Sequence, residues 1–311
     1  MRRENSDTWV TDDNTIVCLI VVHGATEFDP KKTDYCKITC GKNVHPSCNC
    51  TRSGNRQEFN LKQSNEFRKL ILELHNEARD KIASGNETRY DLTSASNMMA
   101  VSYSLELEYF ARCFMRNKFV GERDKENCVV MSNGRKVGQN LYGTVGNQSN
   151  VSWVEEAFEE WMDEMQNIQM DTINNFTMPV EGQANFDQFT QLMWSTVNEV
   201  GCARIYTADT KKNKYVEPYE SAILCNYGIT ILKDQNLAPN TLGQPVYKRG
   251  KPCSECPENL KCNKRYHALC GEIAPVPTSA PYALDSSKAM TSKKFKSLTL
   301  LVVTIFVSFL L

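Results

Sequence analysis

The stretch "ANFDQFTQLMWSTVNEVGCAR", Ala184 to Arg204, changes its periodicity part-way. Phe186, Phe189, Met193 and Val197 fall on one helical stripe, which predicts a short amphipathic helix. Gly201 then leads into cysteine and β-favouring residues, which predict a buried strand over Gly201 to Thr207. Gln188 sits inside the helical part, polar among apolar neighbours, and its role bears directly on what the chain can do.

Outward from that stretch, hydrophobic spacing marks further elements. Phe67, Leu70, Ile71, Leu74, Ala78 and Ile82 predict a helix over Ser64 to Gly85, with Gly85 as its C-cap. Leu105 to Lys118 places Leu105, Tyr109, Cys113 and Phe114 on one face. A third helix opens with the capping box Ser152-x-x-Glu155 and buries Val154, Phe158, Trp161, Met165 and Ile168. A second strand is expected over Ser221 to Ile231. Helices alternate with a few strands without a βαβ rhythm, so the fold class is α+β.

The 311 residues, 41% of them hydrophobic and 23% charged, suffice for a substantial core. A net charge of −1 and a pI near 6.5 leave no basic footprint for a polyanion, which argues against nucleic acid as a partner. Thirteen cysteines point to an oxidising compartment. One of them, Cys18, lies in the apolar run Thr15 to Val22, and residues 1–25 read as a signal peptide; setting it aside leaves twelve. Asn49, Asn86, Asn147, Asn150 and Asn175 each begin a glycosylation sequon.

At the other end, "APVPTSAPYA", Ala274 to Ala283, has no hydrophobic period and reads as a tether. The apolar run Leu298 to Leu311 is shorter than the roughly 20 residues a spanning helix needs. Small residues at Asp285, Ser286 and Ser287, a polar spacer and this tail match a GPI-attachment signal, with attachment at Asp285 or Ser286; a short membrane-spanning tail anchor is the competing expectation.

Several motifs occur in an order that resembles the CAP superfamily (SCP/TAPS), and its insect antigen 5 branch in particular. They are "ELHNEAR", "SASNMMAVSYSLELEYFARC", "VGQNLY", "DQFTQLMWSTVNEVGCA" and "AILCNYG". "DYCKITC" with "VHPSC" is similar to the opening of antigen 5 proteins, and "GQPVYKRGKPCSECP" with "CNKRYHALC" to their cysteine-rich extension. The likeness runs from about Asp34 to Cys270. It implies a three-layer α-β-α sandwich with a small antiparallel sheet and a short disulfide-rich C-terminal extension. The domains are then a cysteine-containing arm at 34–63, the CAP domain at 64–232, the extension at 233–271, a linker and polar spacer at 272–297 and the tail at 298–311.

The resemblance also implies a cleft beside the helix containing His75, where many members carry two histidines and two acidic residues and some bind a divalent metal. Those positions fall here on His75, Gln139, Glu164 and Gln188. Amides replace the second acid and the second histidine, and a neutral amide is a poor zinc ligand. No metal or other cofactor is therefore expected, and Gln139 and Gln188 should instead hydrogen-bond to His75 and Glu164. No motif places a Ser or Cys nucleophile beside them, so no catalytic residue is assigned. His75 suits either a hydrogen-bonded, partly buried position packing its helix against the sheet or a polar patch that helps bind a partner.

The same likeness makes Cys202 and Cys225 a bridge and has Cys36, Cys40, Cys48, Cys50, Cys113 and Cys128 tie the arm to the second helix region. Cys253, Cys256, Cys262 and Cys270 permit three pairings. Met98, Met99, Met162, Met165, Met170, Met178 and Met193 suit a core or an adaptable groove, while Trp153, Trp161 and Trp194 suit a core. Lys211, Lys212 and Lys214 suit a solvated loop tip. The expected function is non-enzymatic recognition of another protein by a secreted or surface-tethered module held to the membrane through its C-terminal anchor. A lipid or sterol ligand is the alternative, and a metal-dependent hydrolase a remoter one.

Overall fold

In the computed structural model, which describes residues 28–50, 56–117, 119, 121–124, 128–145, 153–207, 219–232 and 237–284, the opening stretch divides where its residues change character. The strands are β1 (Thr39–Cys40), β2 (Asn43–Val44), β3 (Arg56–Glu58), β4 (Ser102–Tyr103), β5 (Gly138–Thr144), β6 (Glu199–Thr207) and β7 (Ser221–Gly228). The α-helices are α1 (Ser64–Ala83), α2 (Leu105–Asn117), α3 (Trp153–Asp163), α4 (Met170–Asn174) and α5 (Asp187–Met193). The helical stripe thus becomes α5, and β6 begins two residues before the predicted strand.

Antiparallel pairing runs β6 to β7 to β5, with Cys202 opposite Cys225. β3 pairs antiparallel with one end of β6, and β4 pairs parallel with the other. Strand alternation sends Val200, Cys202, Ile223, Cys225 and Tyr227 into the core shared with α1, α3 and α5. Ala203, Ile205, Ala222 and Leu224 face the other way, onto Ala111, Phe114 and Met115 of α2. The result is the expected α-β-α sandwich. At Gly201 the first turn of α2 comes so close that a Cβ would lie 2.3 Å from the Glu108 nitrogen. No larger residue fits there without moving the helix.

α1 ends as its sequence predicts, with Gly85 at φ +78° just beyond the last turn. Its buried face carries Phe67, Ile71, Leu72 and Ile82, but also Arg68, His75, Asn76 and Arg79. On α2 the fully buried residues are Leu107, Phe110, Ala111, Cys113 and Met115, while Leu105 and Tyr109 are only half-buried. The predicted stripe on α2 is therefore rotated, because this helix is covered by the sheet on one side and by the N-terminal arm on another. Met98, Met99, Met165 and Met193 are core, as are Trp153, Trp161 and Trp194. Met162 packs half-buried on that core, and Met178 is exposed.

All twelve cysteines after Cys18 are bridged. Cys202–Cys225 staples the sheet, Cys36–Cys48 closes the arm, and Cys40–Cys128 and Cys50–Cys113 tie the arm to the α2 region. In the extension Cys253 pairs with Cys262 and Cys256 with Cys270, which selects one of the three possibilities. The two bridges from arm to body span 88 and 63 residues, and closures of that length typically contribute a few kcal/mol each.

Residues 274–284 do not form the free tether their composition predicts. Arg68 donates to the Pro277 and Ser279 carbonyls at 2.9 and 2.8 Å, and Arg112 to the Tyr282 carbonyl at 2.7 Å. Leu284 is 4% exposed beside Cys50 and Cys113. The contacts are mostly to the backbone, so side-chain composition carries no sign of them.

Asn49, Asn86 and Asn175 are exposed, as glycan acceptors must be. Several expectations fall outside the described residues: the leader 1–25 with Cys18, Asn147, Asn150, Ser152, the lysines 211, 212 and 214, Asp285, Ser286 and the tail 298–311. Among the described residues no helix is long and apolar enough to cross a membrane.

Candidate functional site

Gln188 occupies the first turn of α5, and its side chain works at both ends. Its amide nitrogen donates to Glu164 Oε1 at 3.1 Å, and its oxygen accepts from the Leu141 N–H of β5 at 2.9 Å. The backbone N–H groups of Gln188 and Phe189 both donate to Glu164 Oε2, at 2.8 and 3.0 Å. Glu164 therefore sits where the helix dipole favours an anion. Burial raises its pKa, and those donors oppose the rise. Gln188 is a rivet between α5, β5 and the turn that follows α3.

Beside it lies a cleft of about 750 Å³ lined by β5, α5 and the loops around residues 122–124, 136–137 and 238–241. Arg123 bridges Asp187 at 2.6 Å across its floor. Gln139 donates to Asn226 Oδ1 at 2.9 Å and accepts from the Asp124 N–H at 2.8 Å. Lys136 and Glu122 add charge at the margin, where Met178 is 53% exposed. The described residues lining this cleft offer the hydroxyls of Thr241 and Tyr219 but no imidazole and no thiol.

His75 is not one of them. Its ring is buried in the main core, edge-on to Phe158. Nδ1 lies 2.6 Å from the Ile71 carbonyl, so it carries the proton, and Nε2 accepts from the Tyr227 hydroxyl at 3.1 Å. Of the expected contacts, Gln188 does reach Glu164, whereas Gln139 reaches Asn226 and Asp124 and not His75. One turn of α1 beyond His75 explains why the "HNEAR" segment is polar and buried. Asn76 pairs with both backbone groups of Val101, and Arg79 donates to the carbonyls of Met99, Leu192, Trp194, Ser195 and Val197. The segment braces the fold.

Residues 72–227 match the profile of the Cysteine-rich secretory protein family, CAP. This chain belongs to the CAP family. Similar members include a venom allergen 5 from Polistes gallicus, 30% identical over 70% of this chain and 99% of its own length. A cysteine-rich venom protein from Tityus serrulatus is 32% identical over 73% of this chain. This CAP protein spans about half the length of that relative and of a CRISP/Allergen/PR-1 protein from Trittame loki. Two solved structures, of BmVAL-1 and of NaASP2 with Zn2+, align over 67% and 66% of the chain, and over 94% and 95% of their own, at TM-scores of 0.49 and 0.48 and identities of 21% and 22%. The α-β-α sandwich agrees with that membership.

The side chains of this CAP protein do not fit a divalent ion in the cleft. Two of the four expected positions are amides whose oxygens already accept backbone N–H groups, and His75 uses both ring nitrogens inside the core. Glu164 alone remains, and three N–H groups occupy it. Among the described residues, the one cluster with ligand-like spacing is Cys253, Cys256 and Cys270, all bridged.

A further cleft residue escaped the sequence reading. Gln191 is 3% exposed and lines the cleft, yet its amide nitrogen has no partner. A Cβ at Gly138 would lie 1.9 Å from that nitrogen, so the glycine makes room for it. A signal was available in the pairing of "VGQN" with "FTQLMW", but only the register of β5 against α5 shows that the two meet.

Proposed function

We propose that this CAP protein is an extracellular, surface-held binding protein without catalytic activity, and that the cleft between β5 and α5 recognises another protein. The observation that carries this reading is the composition of the wall. Asp124, Asp187 and Glu122 alternate with Arg123 and Lys136, and Gln139, Gln188 and Gln191 supply amides. Such a surface pairs well with the mixed charges and backbone groups of a polypeptide. A sterol would strip water from these groups without replacing their hydrogen bonds, at a cost on the order of a few kcal/mol. No nucleophile with an adjacent base lines the cleft among the described residues, which is why the reading stops at binding.

The test uses labelled protein on intact candidate target cells. Binding should disappear after trypsin treatment of those cells and should weaken at least tenfold with Lys136→Glu combined with Met178→Arg, both exposed positions. Energy transfer from the protein's tryptophans to dehydroergosterol should stay at background. Trypsin-resistant binding with sterol uptake would turn the proposal toward a lipid ligand.

The surface attachment rests on the tail described above. Phosphatidylinositol-specific phospholipase C is expected to release the protein from intact cells, and truncation before Lys288 to send it freely into the medium. Retention after the lipase would instead support a spanning tail anchor.

A further inference from the structure

Residues 271–284 contain no cysteine, so no covalent bridge of their own holds them. Yet 274–284 lies along α1 and α2 in a groove prepared for it. Arg68 spends one edge of its guanidinium on Glu108, at 2.7 and 2.8 Å, and turns the other to the carbonyls of Pro277 and Ser279. Arg112 does the same, held by Glu58 on one side and donating to the Tyr282 carbonyl on the other. A guanidinium fixed by a carboxylate is a preorganised, sequence-tolerant reader of backbone carbonyls.

Selectivity comes from three side chains. Pro281 closes a small pocket floored by Phe59, Phe67 and Arg204, whose guanidinium is 4.2 Å from the Phe67 ring centre. Tyr282 meets the rings of Phe28 and Tyr109 edge-on, at 5.6 and 6.4 Å between centroids. Leu284 covers the Cys50–Cys113 bridge. Thr278, Ala280 and Ala283 point outward and are exposed. Carbonyl anchors, a proline seat and apolar sockets together are the chemistry by which grooves take proline-containing segments.

We propose that this groove is a peptide-binding site for a proline-containing segment with an aromatic residue after the proline and an aliphatic one two positions later, and that 276–284 occupies it in cis. The site shares no lining residue with the β5–α5 cleft. Because the strap is tethered at Gly271, its effective concentration is high, and an outside peptide gains access only in the fraction of molecules whose strap has lifted.

The experiment uses the full chain and, as probe, a fluorescent peptide of the natural sequence Val276 to Leu284. The parent should bind it weakly. A full-length variant with Tyr282→Ala and Leu284→Ser leaves the groove walls intact and weakens only the cis occupant. It should bind the natural peptide at least tenfold more tightly, and a peptide carrying the same two changes should not bind. Tyr282→Ala alone keeps Leu284 over the disulfide and serves as the milder variant, with thermal unfolding confirming that it is folded. Equal binding to parent and variants, no binding to any of them, or equal binding of the altered peptide would overturn the proposal.

Discussion

Replacing Arg79 by leucine is expected to lower stability by roughly 3–5 kcal/mol, the scale seen when a buried charged hub is deleted and its partners are left unpaired. The guanidinium is fully buried and donates to five carbonyls drawn from Met99, from the end of α5 and from the segment between α5 and β6. Burial drives its pKa down to about 9, which still leaves it protonated at neutral pH. Leucine would take a donor from all five carbonyls in a place water does not reach, although those of Trp194 and Ser195 also accept the N–H groups of Val197 and Met99. Arg79→Lys should recover little, since an ammonium has three donors and no planar fork. Chemical denaturation of the purified protein measures both. A loss below about 1 kcal/mol for Arg79→Leu would show that backbone N–H groups satisfy the carbonyls well enough without the guanidinium.

The second large effect is in pH. Burial lowers the His75 pKa to about 4, with the Arg79 charge adding to the shift and the Ile71 carbonyl opposing it. In the unfolded chain the imidazole titrates near its ordinary 6.5. Between these values the unfolded state takes up a proton that the folded state refuses. Stability from this group is thus complete above about pH 7 and is lost as pH falls from 6.5 toward 4. Linkage puts the loss by pH 4.5 at roughly 2 kcal/mol. His75→Gln keeps a donor for Ile71 and an acceptor for Tyr227 but does not titrate. Parent and variant should therefore differ in the slope of stability against pH between 7 and 4.5, the variant being flatter. Parallel slopes would mean that His75 is hydrated or charged in the folded protein.

The fold was legible because its main elements obey their periods. Phe67, Ile71 and Ile82 announce α1, and the alternation of Val200 and Cys202 with Ala203 and Ile205 announces a strand buried on both faces. For His75 two readings stood open, because a helical position facing the sheet can serve a cleft or a core and spacing alone cannot distinguish them; the ring is in the core. Gln188 was identified correctly as a ligand of Glu164, but its second bond, to Leu141, depends on where β5 lies. Arg79 escaped because its partners are carbonyls, which every residue has. The docking of 274–284 was hidden for the same reason.

The last of those contacts bears on how the chain is threaded. Phe28, the first described residue, and Tyr282, near the last, hold their ring centres 5.6 Å apart, and both rest on Tyr109. The path from Phe28 to Tyr282 is therefore nearly a closed loop, with its two limits side by side. A few added residues would join them into a covalent ring, and fresh ends could be opened at an exposed turn such as Asn133–Gly134 without breaking a strand pairing or a disulfide. What specifies this architecture is which segments meet, and the order in which the chain visits them is incidental.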